Sequence, residues 1–139
     1  MSDPHNLQRF IEAQRTAFVE ACQELRRGQK KTHWIWFIFP QIKGLGTSDM
    51  DAKYAIASRD EALAYWRHPI LGQRLREAVE IVNSLEGRVI QQILPPPDHL
   101  KFKSCMTLFG HIEPNEACFS KALQKYFFGE ADPHTLAKL

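Results

Sequence analysis

Residues 33–41 read HWIWFIFPQ, and this stretch decides how the chain folds. It contains six consecutive large apolar residues, Trp34 to Phe39, which must be buried on nearly all sides. For so short a run, periodicity does not distinguish a short strand from a buried helical turn. A glycine-rich connector follows at residues 41–48, and its last residue, Ser48, with Asp51 three residues on, predicts the N-cap of a short helix.

Helical patterns dominate the rest of the chain. Apolar residues recur at spacings near 3.6 in residues 7–25 and 71–82. Residues 100–109 leave little polar surface, which predicts a central, enclosed helix. We therefore predict a mainly α fold, a single compact orthogonal multi-helix domain over residues 1–139, with at most a short strand or buried turn at residues 33–40.

Capping signals set the expected helix boundaries. Asp3 and Pro4 predict the start of a first helix that runs to Gly28, with a break near Gln14 left open.

Similar signals mark the later helices. Ser58 with Glu61 resembles a capping box, and Asp132 before a proline predicts a last short turn. Asp98 is expected to cap the enclosed helix and Gly110 to end it.

Composition excludes several classes of protein. The 139 residues are 44% apolar and 24% charged, which is typical of a globular chain and not of a disordered one. A net charge of +2 is too small to indicate nucleic acid as the main partner, and no apolar run reaches the ~20 residues of a membrane helix. Three cysteines without short spacing favour reduced thiols in the cytoplasm. No metal-ligand spacing is present, so we expect neither a metal nor a cofactor.

The enclosed helix carries one polar stripe. Lys101, Ser104 and Thr107 occupy one helical side at spacings of three. A lysine and two hydroxyls suit the binding of phosphate or sugar oxygens. The alternative is that the hydroxyls bond back to helix carbonyls while the lysine reaches solvent.

Two further features are candidates for ligand binding. The turn at residues 44–48 could present backbone N–H groups to an anion, or could be a tight turn that needs glycine and ends in a cap. Trp34 and Trp36 could offer an aromatic wall for a planar base, although at most one of them is expected to face a pocket. A buried indole N–H needs a partner, for which Gln41 or Ser104 would serve. The candidate ligand-binding residues are His33, Trp34, Trp36, Gln41, Gly44, Gly46, Ser48, Lys101, Ser104 and Thr107.

Motifs along nearly the whole chain resemble one family, the uncharacterised proteins catalogued as domain of unknown function 1810. The matching blocks are HWxWFxFPQ at 33–41, Gly44-Leu45-Gly46-x-Ser48, Tyr54 with Ile56, His68-Pro69-x-Leu71-Gly72-x-Arg74-Leu75, Lys101-x-x-Ser104-x-Met106-Thr107-Leu108-Phe109 and Asp132-x-x-Thr135-Leu136. The resemblance implies a mainly α-helical fold and no assigned activity. The chain departs from the family pattern at the triple proline, residues 95–97, where a glycine is usual, and at Cys105, where the family has a second serine.

Three functions remain as hypotheses for this protein. The first is binding, with hydrolysis left open, of a small anionic, nucleotide- or phosphosugar-like ligand such as an ADP-ribose derivative. The order of Leu71-x-x-x-Leu75, a short helix and then Asp98 is faintly similar to the NADAR family, which is linked to N-glycosidic chemistry on ADP-ribose-like compounds. This similarity points the same way, but the chain lacks that family's catalytic acid, so catalytic residues stay unknown. The alternative is a non-enzymatic protein-interaction module. Nucleic-acid binding would require one shared face for Arg26, Arg27, Lys30, Lys31 and Lys43.

Overall fold

A computed structural model describes residues 2–139 and confirms the mainly α fold. Helices hold 62% of the chain, and residues 2–139 contain no strand. The extended segments meet in one isolated parallel bridge, Ile42 with Ile56. The helices are α1 (Gln8–Arg26), α2 (Ile35–Ile38), α3 (Asp49–Lys53), α4 (Arg59–Arg67), α5 (Leu71–Ser84), α6 (Ile90–Ile93), α7 (Asp98–Ile112), α8 (Ala117–Phe127) and α9 (Pro133–Leu136).

The apolar segment at residues 33–40 forms a buried helical turn, α2. Of its six large apolar residues, Trp36 alone is half-buried, and the others lie in the core. Trp34 and Phe39, on either side of the turn, pack against each other with ring centroids 6.1 Å apart. The turn satisfies its backbone groups locally, which a lone strand in the core could not do.

A buried carboxylate, that of Glu24 on α1, holds the start of this segment. It accepts hydrogen bonds from the backbone N–H of Lys31 (2.6 Å) and Thr32 (2.9 Å), from the Thr32 hydroxyl (2.6 Å) and from Trp34 Nε1 (3.0 Å). The indole partner is therefore Glu24, not Gln41 or Ser104. Burial alone would raise the pKa of this carboxyl, but the four hydrogen bonds outweigh burial and lower the pKa to about 2.

Helix α7 is the central element, as its sequence predicts. It contacts α2, α4, α6, α8 and α9. Phe102 stacks edge-on against Phe39 of the α2 segment, with ring centroids 4.8 Å apart. Gly110 does not end this helix, because α7 continues to Ile112. A Cβ atom at Gly110 would lie 3.3 Å from the Cβ of Phe119, so the glycine allows α8 to pack closely.

Helix α1 is continuous, and the break left open near Gln14 does not occur. Gln14 is buried, and its Nε2 donates to Phe37 O (2.7 Å) and to the Tyr65 hydroxyl (3.0 Å). This polar residue on the apolar face therefore ties α1 to α2 and α4. The helix begins at Gln8 rather than directly after Pro4, and the Asp3 carboxylate accepts from the backbone N–H of Leu7 and Gln8.

Most of the capping predictions are confirmed. Ser48, Ser58 and Asp132 each accept a hydrogen bond from a backbone N–H three residues on, at the start of α3, α4 and α9. The capping box predicted for Ser58 and Glu61 forms only in part, because the Glu61 carboxylate accepts from the backbone N–H of Ala57 at 3.1 Å and not from that of Ser58. The prediction for Asp98 is wrong, because Pro97 occupies the N-cap position of α7 and Asp98 is the first helical residue. Its carboxylate forms an ion pair with Lys30 Nζ at 2.9 Å instead.

The three cysteines, Cys22, Cys105 and Cys118, are buried and unbridged. Burial raises the pKa of the Cys22 thiol to about 11 and that of Cys118 to about 12, and it also raises the pKa of Cys105. These thiols are accordingly packing groups and not nucleophiles. Over residues 2–139, the structure shows no helix long and apolar enough to span a membrane.

Replacing Glu24 by glutamine should destabilise the fold by about 2 kcal/mol at neutral pH, because the hydrogen bonds lose their charged acceptor. Since the folded pKa lies below the ordinary value of 4.5, the stabilisation is complete above pH 4.5 and disappears as the pH falls through about 2. Urea unfolding between pH 7 and pH 2 should show that the free energies of unfolding of the wild-type protein and the variant converge at low pH. As a control, Glu20→Gln, an exposed change on the same helix, should leave the free energy of unfolding unchanged. A loss of stability in Glu24→Gln that does not depend on pH would contradict the role given to the ionised Glu24 carboxylate.

Candidate functional site

Two adjoining pockets form a groove between the α2–α3 region and the side of α7. The small pocket has a volume of about 220 Å³ and the large pocket about 760 Å³. They share Gln41, Gly44 and Lys101, so the two spaces meet along these residues.

Aromatic side chains line the small pocket. Trp36 and Phe39 come from α2 and its C-terminal end, and Tyr54 closes α3. The parallel bridge places Gln41 at the rim, because Ile56 N–H donates to Gln41 O at 2.9 Å. A pocket with aromatic walls and one amide at its rim suits a planar, polar-edged ring.

Arg9 fixes the far wall of the small pocket. Its guanidinium donates to Lys53 O and Ala55 O, both at 2.8 Å, and to the Glu61 carboxylate at 2.8 Å. The chain leaving α3 is thereby held against α1 and α4. Because the fork of a guanidinium binds several acceptors in fixed directions, this wall is rigid.

An ion pair stands where the two pockets meet. Lys101 Nζ lies 2.8 Å from Asp51 Oδ1, and both side chains are largely buried. Asp51 Oδ2 also accepts from the backbone N–H (3.1 Å) and the hydroxyl (2.8 Å) of Ser48. Burial opposes ionisation of Asp51, but the bonds from Lys101 and Ser48 outweigh it and hold the pKa of Asp51 below its ordinary value.

The two glycines of the connector are explained by close packing. Gly44 has φ +96°, and a Cβ there would lie 2.9 Å from Lys138 Nζ. A Cβ at Gly46 would overlap the carboxylate of Asp51. Both positions therefore let charged groups of the groove approach the backbone.

Basic residues surround the large pocket. Its lining includes Lys101, whose charge is paired with Asp51, together with Lys103, His134 and Lys138, against one carboxylate in the lining, Asp132. Lysine ammonium groups are point charges that suit phosphate oxygens. The excess of basic groups favours an anionic ligand.

Asp132 is fixed between α7 and α9. Its Oδ2 accepts from the Ser104 hydroxyl (3.1 Å), from Thr135 N–H (3.1 Å) and from the Thr135 hydroxyl. Burial opposes ionisation here too, but the bonds from Thr135 and Ser104 hold the pKa of Asp132 below its ordinary value. The carboxylate is therefore ionised at neutral pH.

The polar stripe of α7 anchors this C-terminal segment. The Ser104 hydroxyl lies 3.1 Å from Leu100 O, as the back-bonding alternative requires, but it also reaches Asp132. Thr107 donates to Lys103 O (2.9 Å) and accepts from the backbone N–H of Asp132 (2.9 Å). Lys101 forms its ion pair across the groove instead of extending freely into solvent.

The structure brings together six of the ten candidate residues from the sequence. The residues that line the groove are Trp36, Gln41, Gly44, Gly46, Lys101 and Ser104. Trp34 lies in the core on Glu24, and His33 is exposed outside both pockets. Ser48 and Thr107 lie behind the lining, where they hold Asp51 and Asp132.

Sequence reasoning missed several lining residues. Asp51 and Asp132 carried a signal only as helix caps, and Lys103, His134 and Lys138 carried none. Asp51 lies 50 positions from its partner Lys101, and no local pattern reports such a pairing. The two caps were the available hint, because a carboxylate that caps a helix with one oxygen has a second oxygen to offer.

Three of the five basic residues considered for nucleic-acid binding have other contacts. Arg26 pairs with Glu77 at 3.7 Å and Lys30 with Asp98 at 2.9 Å, whereas Lys43 lines the small pocket. Residues 2–139 hold no group of three histidine, cysteine or acidic side chains placed to bind a metal ion.

The fold is also found in a solved structure. The structure is similar to the crystal structure of the conserved hypothetical protein Rv1873 from Mycobacterium tuberculosis, with a TM-score of 0.97 and 44% sequence identity over 99% of this chain and 98% of that one. No curated protein matches the chain. The family model described as "Protein of unknown function (DUF1810)" matches residues 4–139. The chain thus belongs to this family of proteins of unknown function.

Proposed function

We propose that the protein binds a small anionic ligand with a planar ring, of the nucleotide or ADP-ribose type, in the groove. One observation carries the proposal: Lys101 lies at the junction of an aromatic pocket and a pocket surrounded by basic residues. A ligand with a ring at one end and phosphate at the other matches that order of surfaces.

The volumes of the two pockets support a ligand with its ring in the small pocket and its phosphate in the large pocket. Pockets for drug-sized ligands usually enclose ~300–1,000 Å³. The small pocket, at about 220 Å³, is below this range and suits one ring system. The large pocket, at about 760 Å³, has room for the sugar and phosphate portion.

The carboxylates favour binding over hydrolysis. General acid catalysis needs a protonated group with a pKa near the working pH. The pKa values of Asp51 and Asp132 are both lowered, so each is a fixed anion at neutral pH. The groove thus holds charge and hydrogen-bond acceptors but, in these two residues, no proton donor for a leaving group.

An interaction module is the weaker alternative. It would need a continuous exposed apolar patch. The most exposed large apolar residues, Val19, Val89 and Phe128, belong to three different elements: α1, the segment before α6 and the C-terminal end of α8. Two pockets, one with aromatic walls and one surrounded by basic groups, make a small-molecule ligand the better fit.

The state of the cysteines indicates the cellular compartment that suits the protein. Three buried, unbridged thiols suit a reducing environment. We therefore place the protein in the cytoplasm as part of this proposal.

Replacing Trp36 by leucine should weaken the binding of AMP or ADP-ribose about tenfold, because stacking on an aromatic face contributes ~1–3 kcal/mol per base. Ribose 5-phosphate, which has no ring to stack, should lose little affinity. Isothermal titration calorimetry measures both. Trp66→Leu, a change of the other half-buried tryptophan on α4, is the matched control; equal losses for both variants would contradict the stacking role.

Replacing Lys138 by alanine should weaken all phosphate-bearing probes about two- to fivefold, as expected for one exposed charge interaction. Lys138 is exposed, so the melting temperature should stay unchanged. Lys101→Ala is a poorer test, because it would leave the largely buried Asp51 without its partner. Thermal-shift titration with AMP, NAD, ADP-ribose and sugar phosphates gives the comparison. Lys121→Ala, an exposed change on α8 outside the groove, is the control and should leave binding unchanged. If no probe binds the wild-type protein, the proposed function is wrong.

A further inference from the structure

The Asp132 carboxylate uses only one of its two oxygens inside the protein. All three of its hydrogen bonds, from Ser104 and Thr135, go to Oδ2. Within residues 2–139 the structure gives Oδ1 no hydrogen bond, and Asp132 lines the large pocket. Oδ1 is not a buried atom, so it is an acceptor open to solvent or to a molecule bound in that pocket.

The charged groups around Asp132 restrict the class of ligand that its Oδ1 can bind. The other charged or titratable groups of the pocket are Lys101, Lys103, Lys138 and His134. An ionised carboxylate among basic groups repels phosphate at close range and can only accept hydrogen bonds. A ligand that fits both therefore carries an anionic group for the lysines and, a short distance away, neutral hydroxyl donors for the carboxylate.

We propose that Asp132 Oδ1 accepts hydrogen bonds from the free vicinal hydroxyls of a ribose, which makes ribosyl phosphates with an unsubstituted diol the ligand class of the groove. This inference rests on the proposed function and deepens it. Hydroxyl-to-carboxylate hydrogen bonds are among the strong, charge-assisted ones. In dinucleotide-binding folds an acidic residue plays the same role on the ribose 2′-hydroxyl, so the chemistry is general.

Rigidity makes the residue a specificity determinant. Ser104 on α7 and Thr135 on α9 fix the direction of the carboxylate, and Thr107 holds the backbone N–H of the same residue. Because no reorganisation is needed on binding, the whole hydrogen-bond gain contributes to discrimination.

The substitution Asp132→Asn isolates this oxygen. Asparagine caps helices about as well as aspartate, so its carbonyl oxygen can replace Oδ2 on Thr135. The amide nitrogen then replaces Oδ1, which turns an acceptor into a donor at the same place. The hydrogen bonds from Ser104 and Thr135 lose a charged acceptor in this variant, so its melting temperature should fall slightly, and the variant should lose the preference for ribose.

The experiment compares matched pairs of probes by calorimetry: AMP with 2′-deoxy-AMP, and ribose 5-phosphate with 2-deoxyribose 5-phosphate. We expect the wild-type protein to bind the ribo form about tenfold more tightly, as one charge-assisted hydrogen bond provides. Asp132→Asn should bring the two forms to equal affinity. A preference in both pairs indicates recognition of any ribosyl phosphate, and a preference in the AMP pair alone indicates that the ring must be bound first; either result supports the inference.

Three results would overturn it. The first is equal binding of ribo and deoxy forms by the wild-type protein, a comparison that needs no variant to fold. The second is a ribose preference that survives in Asp132→Asn. In both cases the probes still bind, so the proposed function stands while this inference fails. The third is the absence of binding by every probe, which overturns the proposed function as well.

Discussion

The Glu24 carboxylate is the interaction on which the rest of the structure depends. Buried polar backbone groups must find partners, and the turn after α1 meets this demand with one side chain that accepts four hydrogen bonds. The same carboxylate orients Trp34, so the apolar segment enters the core in one register. That register leaves Trp36 half-buried beside the groove and delivers Gln41 to its rim. A single buried charge thereby connects the end of α1 to the geometry of the candidate site.

The fold was largely predictable because its signals are local. Helical periodicity, serine caps and the enclosed character of α7 depend on residues within a few positions of one another. The errors have non-local causes. Asp98 was expected to cap, but Lys30, 68 positions earlier, binds it. Gly110 was expected to end a helix, but it is a contact surface for Phe119. A break in α1 was left open near Gln14, because a polar residue interrupts the apolar face there. No local pattern shows that its amide donates to Phe37 O and to the Tyr65 hydroxyl.

The candidate site was predictable only in part, for a related reason. Short helices begin at both ends of the groove, and each has a capping carboxylate, Asp51 and Asp132. In the sequence, helix capping is a sufficient explanation for both residues. Their position in the lining of the groove therefore could not be predicted. In the structure each carboxylate uses one oxygen on its cap. The other oxygen of Asp51 pairs with Lys101, and the other oxygen of Asp132, a residue that lines the large pocket, accepts no hydrogen bond from residues 2–139. Local order and ligand recognition are thus combined in the same two side chains.

The burial of all three thiols gives the molecule an internal reporter. Cys22, Cys105 and Cys118 lie on α1, α7 and α8, and a reagent in solution reaches them only when the packing around those helices opens. The rate of thiol modification in the native protein is therefore a measure of the opening equilibrium, one value for each helix. Equal rates at the three sites would mean that the core opens as one cooperative unit, whereas faster labelling at one site would identify the helix that detaches first.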